Sequence, residues 1–203
     1  MDESTKPPQT KVSEYLDLLN PSSEHMVTFS PFFTNQMSVE LIRSMTVIRR
    51  ARVLYICIGR PHIFVQKMLM NRGINIKDIY FMDMVLHVCR EGGRSKAPVI
   101  HVPDSKEPLE LPTVFKLYRV DQELSSLSLD DIELMVLDNV SELRTYNSDQ
   151  QIRTFLGLLH GLSQKTGKGL ILLHLDNRPN DGMRELAEGM SIHTLAIPAK
   201  AFQ

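Results

Sequence analysis

Cysteine is scarce, with two in 203 residues. Cys57 lies inside an apolar run and Cys89 far from it in sequence, too few for a disulfide framework and suited to a reducing compartment. No apolar stretch approaches the roughly 20 residues of a membrane span. The first ten residues, MDESTKPPQT, are polar rather than a signal peptide, so the expected location is cytoplasmic, with no membrane contact. An excess of one charge is also missing. Lys plus Arg number 23 against 24 Asp plus Glu, a formal net charge of −1, which lacks the basic footprint of a general nucleic-acid binder. There is no internal repeat and no low-complexity tract. What is present is a chain 42% hydrophobic, long enough to bury about 70% of the surface its unfolded form exposes. Such a core requires neither disulfides nor metal. Residues 1–10, with Pro7-Pro8 and no apolar periodicity, read as a flexible tail, and 11–203 as a single domain.

The apolar pattern alternates between helical and extended periods. Residues 12–19 predict a short helix, stopped at Asn20-Pro21-Ser22-Ser23 because a residue before proline is pushed out of the helical region. A strand is expected at 25–30. Residues 36–50 place Val39, Ile42, Met45 and Thr46 at helical spacing, and 53–58 (VLYICI) form a continuous β-branched and aromatic run. A helix over 62–70 ends at Asn71-Arg72-Gly73, and a strand follows at 79–82. Two further apolar runs, 134–137 and 170–175, flank a helix that opens on the capping box Ser148-Asp149-Gln150-Gln151 and carries Ile152, Phe155, Leu156, Leu159 and Leu162 on one stripe. A last helix at about 183–188 leads to 192–197. Residues 91–111, with Gly92-Gly93 and Pro98, Pro103 and Pro108, read as a long loop holding at most one short strand, 99–102. Strands apolar throughout are buried on both faces, and single intervening helices imply parallel crossovers. The expected fold is α/β, a three-layer, open, mostly parallel sheet with helices on both faces.

This order of elements, together with MVLDNVSEL at 135–143, resembles the RecA-type ATPase core of the P-loop NTPase superfamily, particularly its KaiC-like branch. The strand ending at Asp138 looks like the Walker B strand of that family, 148–162 like the helix after it, and 169–174 like the next strand. In such ATPases the first strand runs into G-x-x-x-x-G-K-[ST], whose backbone N–H groups wrap the phosphates, whose lysine neutralises charge and whose hydroxyl binds magnesium. The corresponding stretch here is Ser30-Pro31-Phe32-Phe33-Thr34-Asn35-Gln36-Met37-Ser38. Both glycines and the lysine are absent, proline removes a donor, and the phenylalanines put bulk where an anion must approach. The family usually carries a water-activating glutamate beyond the next strand; here that place reads Gly59-Arg60-Pro61. The chain also resembles a group of poorly characterised archaeal RecA-like proteins that share the Arg60-Pro61 pair and the IYFMD run at 79–83. The resemblance thus implies a degenerate Walker A and a pseudo-ATPase with no cofactor.

Other constellations stand beside it. Ligands of open parallel sheets sit outside the carboxyl ends of the strands, where Arg60, Asp83, Asp138, His174 and Asp176 are expected to form a candidate rim site. Polar residues gather at strand ends in any case, and Asp138 also has a plain reading as the cap of the turn through Asn139 and Val140. His87, Cys89, His101 and Asp104 lack the close ligand pair that anchors zinc sites, so no metal is expected. The glycine-rich Gly161 to Gly169 stretch precedes a strand and reads as a capped helix end, and Gly161-Leu162-Ser163 misses the nucleophile elbow of serine hydrolases. Arg49-Arg50-Ala51-Arg52 follows a helix, where cations are favoured structurally. The methionines, Met68, Met70, Met82 and Met84 among them, fit apolar faces. Phe32 and Phe33 are expected either to plug the vacated nucleotide pocket or to contact a partner.

The leading expectation is a non-catalytic domain that binds a protein partner, another RecA-type subunit or a second copy of itself. One alternative is an unconventional nucleotide binder or weak ATPase taking ATP and Mg through Asn35, Gln36, Ser38 and Asp138. The other is a DNA-associated recombination accessory protein acting through Arg49 to Arg52.

Overall fold

A computed structural model describes residues 11–83, 99–101, 131–145, 147–176 and 182–203. Its elements in chain order are α1 (Lys11–Leu16), β1 (Glu24–Phe29), a 3-10 turn (Pro31–Phe33), α2 (Thr34–Ile42) running on into a π-helical turn (Arg43–Ile48), β2 (Val53–Cys57), α3 (His62–Asn71), β3 (Ile79–Asp83) and β4 (Val99–His101). There follow β5 (Leu134–Asp138), a 3-10 turn (Val140–Thr145), α4 (Asp149–Thr166), β6 (Gly169–Leu175), α5 (Met183–Gly189), β7 (His193–Ile197) and a closing 3-10 turn (Ala199–Phe202). The expected tail at 1–10, and Met84, His87, Cys89, Asp104 and most of the 91–111 loop, lie outside the described residues.

The strands form one seven-stranded sheet in the order β4-β3-β2-β5-β6-β1-β7, and every pairing is parallel. β1, β2, β5 and β6 are buried along their whole length, which is why β2, β5 and β6 are mostly continuous apolar runs instead of alternating, while β1 also buries Glu24, His25 and Thr28. Their side chains divide by face. Val27, Phe29, Val53, Val136 and Ile171 join a core with α1, α2 and α3, while Met26, Leu54, Ile56, Leu137 and Leu172 join a second core with α4 and α5. The expected three-layer α/β architecture is therefore present.

Two local features bear on the site. α4 starts on the predicted capping box, with Ser148 and Gln151 bonding reciprocally, and ends at Gly167 with φ 65°, the left-handed conformation that glycine adopts without a Cβ penalty. The glycine-rich stretch is thus a helix end in the structure too. The helix expected over 36–50 is different: α2 stops at Ile42 and the chain widens into the π-turn. Ser44, Met45 and Thr46 are consecutive buried residues, and a wider turn places three neighbours on the core side where a 3.6-residue period would turn one of them outward. Val47 and Ile48 are left exposed. Among the described residues no helix is long and apolar enough to cross a membrane.

The chain leaves β1 toward the α2 face and leaves β5 toward the α4 face. Diverging connections of this kind open a crevice at the carboxyl ends of the strands.

Candidate functional site at the carboxyl ends of the strands

At the end of β1 the backbone turns at once into 3-10 helix. The Phe33 N–H donates to the Ser30 carbonyl at 3.0 Å, the Thr34 N–H donates to the Pro31 carbonyl, and the Thr34 hydroxyl donates to the same oxygen at 2.7 Å. Pro31 has no N–H to offer. Two of the N–H donors that a phosphate-wrapping loop would point at an anion, those of Phe33 and Thr34, are engaged inside the turn.

The next turn of chain supplies Asn35 and Ser38 on α2. Ser38 is buried and its hydroxyl donates back to the Thr34 carbonyl at 3.0 Å. The register of β2 with β5 sets Cys57 opposite Asp138, so the residues just beyond β2 overhang the end of β5. Arg60 lies there, and its guanidinium enters the crevice. Its Nη1 donates to Asn35 Oδ1 at 2.6 Å, and its Nη2 to Ser38 Oγ at 2.7 Å and to the Tyr55 hydroxyl at 3.3 Å. The same Nη2 pairs with Asp138 Oδ2, which also accepts the Tyr55 hydroxyl proton at 2.5 Å. Asp138 is 1% exposed and Arg60 17%, so this is a buried ion pair rather than a surface one. Burial and the neighbouring Asp138 carboxylate push the Tyr55 hydroxyl well above its ordinary value of 10.0. Burial works against the Arg60 charge, but the neighbouring Tyr55 and Asp138 oxygens outweigh it and hold its pKa above the usual guanidinium value. The centre is thus one carboxylate, one guanidinium and one neutral phenol. Asp138 Oδ1 and Arg60 Nε are buried with no hydrogen-bond partner among the described residues.

Of the residues expected at the rim, Arg60 and Asp138 meet directly. Asp83 closes β3 beside Cys57. His174 is buried between β6 and β1, with Nδ1 3.5 Å from the Thr28 hydroxyl. Asp176 is exposed and its N–H donates to the Phe29 carbonyl at 2.8 Å. Arg60 bonds Asn35 and Ser38 but not Gln36, which is half-buried one residue along α2. The two phenylalanines part company: Phe33 stacks on Phe202, centroids 4.4 Å apart and 3° from parallel, whereas Phe32 is 93% exposed. The crevice is closed by Arg60, not by either ring. In the basic cluster, Arg49 bonds the Leu16 carbonyl at 2.9 Å and also the Leu19 carbonyl, and Arg52 pairs with Asp131 at 3.1 Å.

Sequence reasoning missed Tyr55 and Glu142. Tyr55 is the one residue of VLYIC with a polar tip, a signal for a hydrogen-bonding partner inside the core. Glu142 follows β5 and lies across Gly59, where a Cβ would come within 2.8 Å of the glutamate Cγ. A glycine is needed there for that close approach, and no local pattern announces the neighbour.

No family model and no curated protein matches the sequence. Among solved structures, a KaiC-like protein from the hyperthermophilic archaeon Pyrococcus horikoshii matches with a TM-score of 0.56, covering 89% of this chain and 73% of that one at 10% identity. The fold is RecA-like. At that identity the likeness concerns the RecA-like fold alone, and it agrees with the order of elements read from the sequence.

The resemblance would place magnesium and a triphosphate between the turn after β1 and the aspartate of β5. The donor set of this RecA-like domain does not fit them. Ser38 and Asp138, the two groups that would face the metal, both bond one guanidinium. The turn that would wrap the phosphates is a closed 3-10 turn.

Proposed function

We propose that this chain is a non-catalytic RecA/KaiC-like domain, a pseudo-ATPase that acts as a protein-interaction module. The observation that carries the reading is the Arg60 guanidinium bonded at once to Asn35, Ser38 and Asp138. A fixed side-chain cation there neutralises Asp138 and ties the start of α2 to the end of β5. The domain therefore holds its crevice together without a metal or a nucleotide. A nucleotide-binding reading requires Arg60 to leave both Ser38 and Asp138, stranding a buried carboxylate. A DNA-binding reading rests on the Arg49 to Arg52 cluster, in which Arg50 is exposed but Arg49 and Arg52 are engaged within the chain.

The interaction side of the proposal rests on Phe32. A phenylalanine 93% exposed at the edge of the crevice presents a rigid aromatic anchor of the kind that dominates protein interfaces. The partner is another RecA-type subunit, in the simplest case a second copy of this chain. Sedimentation velocity over a concentration series should show reversible self-association, weakened at least tenfold by Phe32→Asp. A wild-type chain that stays monomeric, or an association indifferent to Phe32→Asp, would count against self-recognition through this ring.

A further inference from the structure

The turn from α1 into β1 is fastened by two side chains from other elements. Arg49, at the end of the π-turn, donates to the Leu16 and Leu19 carbonyls and lies 4.0 Å from Asp17. His25, on β1, is 8% exposed, and its Nε2 accepts the Asn20 N–H at 3.2 Å. A ring nitrogen accepts only while it carries no proton, because imidazolium is a donor at both positions. His25 therefore fastens the turn as neutral imidazole. Its surroundings are hostile to a cation. The ring of His193, its register partner on β7, lies 5.9 Å away, and Arg49 brings a guanidinium to the same turn. On the β6 side the register partner is the apolar Ile171. Glu24 alternates to the other face of β1 and is engaged with His160, and Asp17 lies beside Arg49. Burial first, and then His193 and Arg49, hold the His25 pKa below its ordinary 6.5.

We propose that His25 is a pH-operated latch on α1: as neutral imidazole it closes the α1–β1 turn, and its protonation in mild acid shifts α1 toward a state released from the sheet. In that state the ring meets water and takes up a proton at the ordinary value. The released state thus binds more protons and gains population as the pH falls through 6.5. One proton limits the gain to about tenfold between about pH 7.5 and 5.5. Val12, Leu16 and Leu19 are buried, so the closed state stays in the majority, and acid changes how often this apolar strip is presented rather than whether the domain folds. The latch lies at the amino ends of the strands and does not depend on the role proposed for Arg60.

Amide hydrogen exchange of the full chain, followed by NMR and corrected for the intrinsic pH dependence of exchange, reads the opening. Protection at Asp17, Leu19 and Asn20, relative to that at β5, should fall by about three- to tenfold from about pH 7.5 to 5.5. His25→Gln, whose amide oxygen accepts the same N–H without titrating, should abolish the fall, and His160→Gln should leave it in place. Ring-proton spectra of the wild type should show His25 titrating below 6.5. A ring that titrates at or above that value, relative protection that stays constant with pH, a fall undiminished in His25→Gln, or one that disappears in His160→Gln would overturn the proposal.

Discussion

Arg60→Met is expected to lower the unfolding free energy by about 3–5 kcal/mol, the range found when one partner of a buried ion pair is removed. The reason lies in what stays behind. Asp138 is 1% exposed, and without the guanidinium its carboxylate retains, among the described residues, only the Tyr55 hydroxyl as a donor. Asn35 and Ser38 lose a donor as well. The pair itself is a modest source of stability, because both groups were taken out of water to form it and two of their atoms remain unmet. The double variant Arg60→Met with Asp138→Leu should therefore recover most of the loss, since apolar replacements of a buried pair are often neutral or better. Urea midpoints at constant slope read both effects. A single variant costing under about 1 kcal/mol, as surface pairs do, would mean that the guanidinium is not the buried counter-charge of Asp138.

Phe202 and Phe32 should give unequal results. Phe202→Ala is expected to cost about 3 kcal/mol, near the low end for a large core aromatic. Phe202 is buried and stacks face to face on Phe33, so its loss removes both apolar burial and the contact that pins the turn after β1. Phe32→Ala, in the same turn, should change stability by no more than about 0.5 kcal/mol, as for other exposed positions. Thermal or urea unfolding of the two variants side by side checks this. Equal losses would contradict the separate roles given to Phe32 and Phe33.

Sequence patterning revealed the sheet more fully than the site. The runs at β2, β5 and β6 are legible because full burial on both faces leaves little polar alternation, and α4 is legible because Ser148, Gln151 and Gly167 mark its ends with chemistry that acts locally. The π-turn after α2 was not legible, since spacing counts assume 3.6 residues per turn and Ser44 looks like any exposed helical serine. The site divides in the same way. The missing glycines and lysine could be read directly, and Asp138 followed from the strand that ends on it. The contact that gives those absences a meaning could not. Arg60 is 78 residues from Asp138 along the chain, and nothing in Gly59-Arg60-Pro61 says that its side chain turns inward to Ser38 and Asn35. Only the register that sets Cys57 beside Asp138 brings them together.

The account turns on a guanidinium standing where a RecA-like ATPase would hold its metal and phosphates. Calorimetric titration of magnesium and ATP into the full chain tests this most directly. The expected isotherm shows no saturable heat into the millimolar range, for the wild type and for Asp138→Asn alike. A micromolar dissociation constant that requires magnesium and disappears in Asp138→Asn would contradict it.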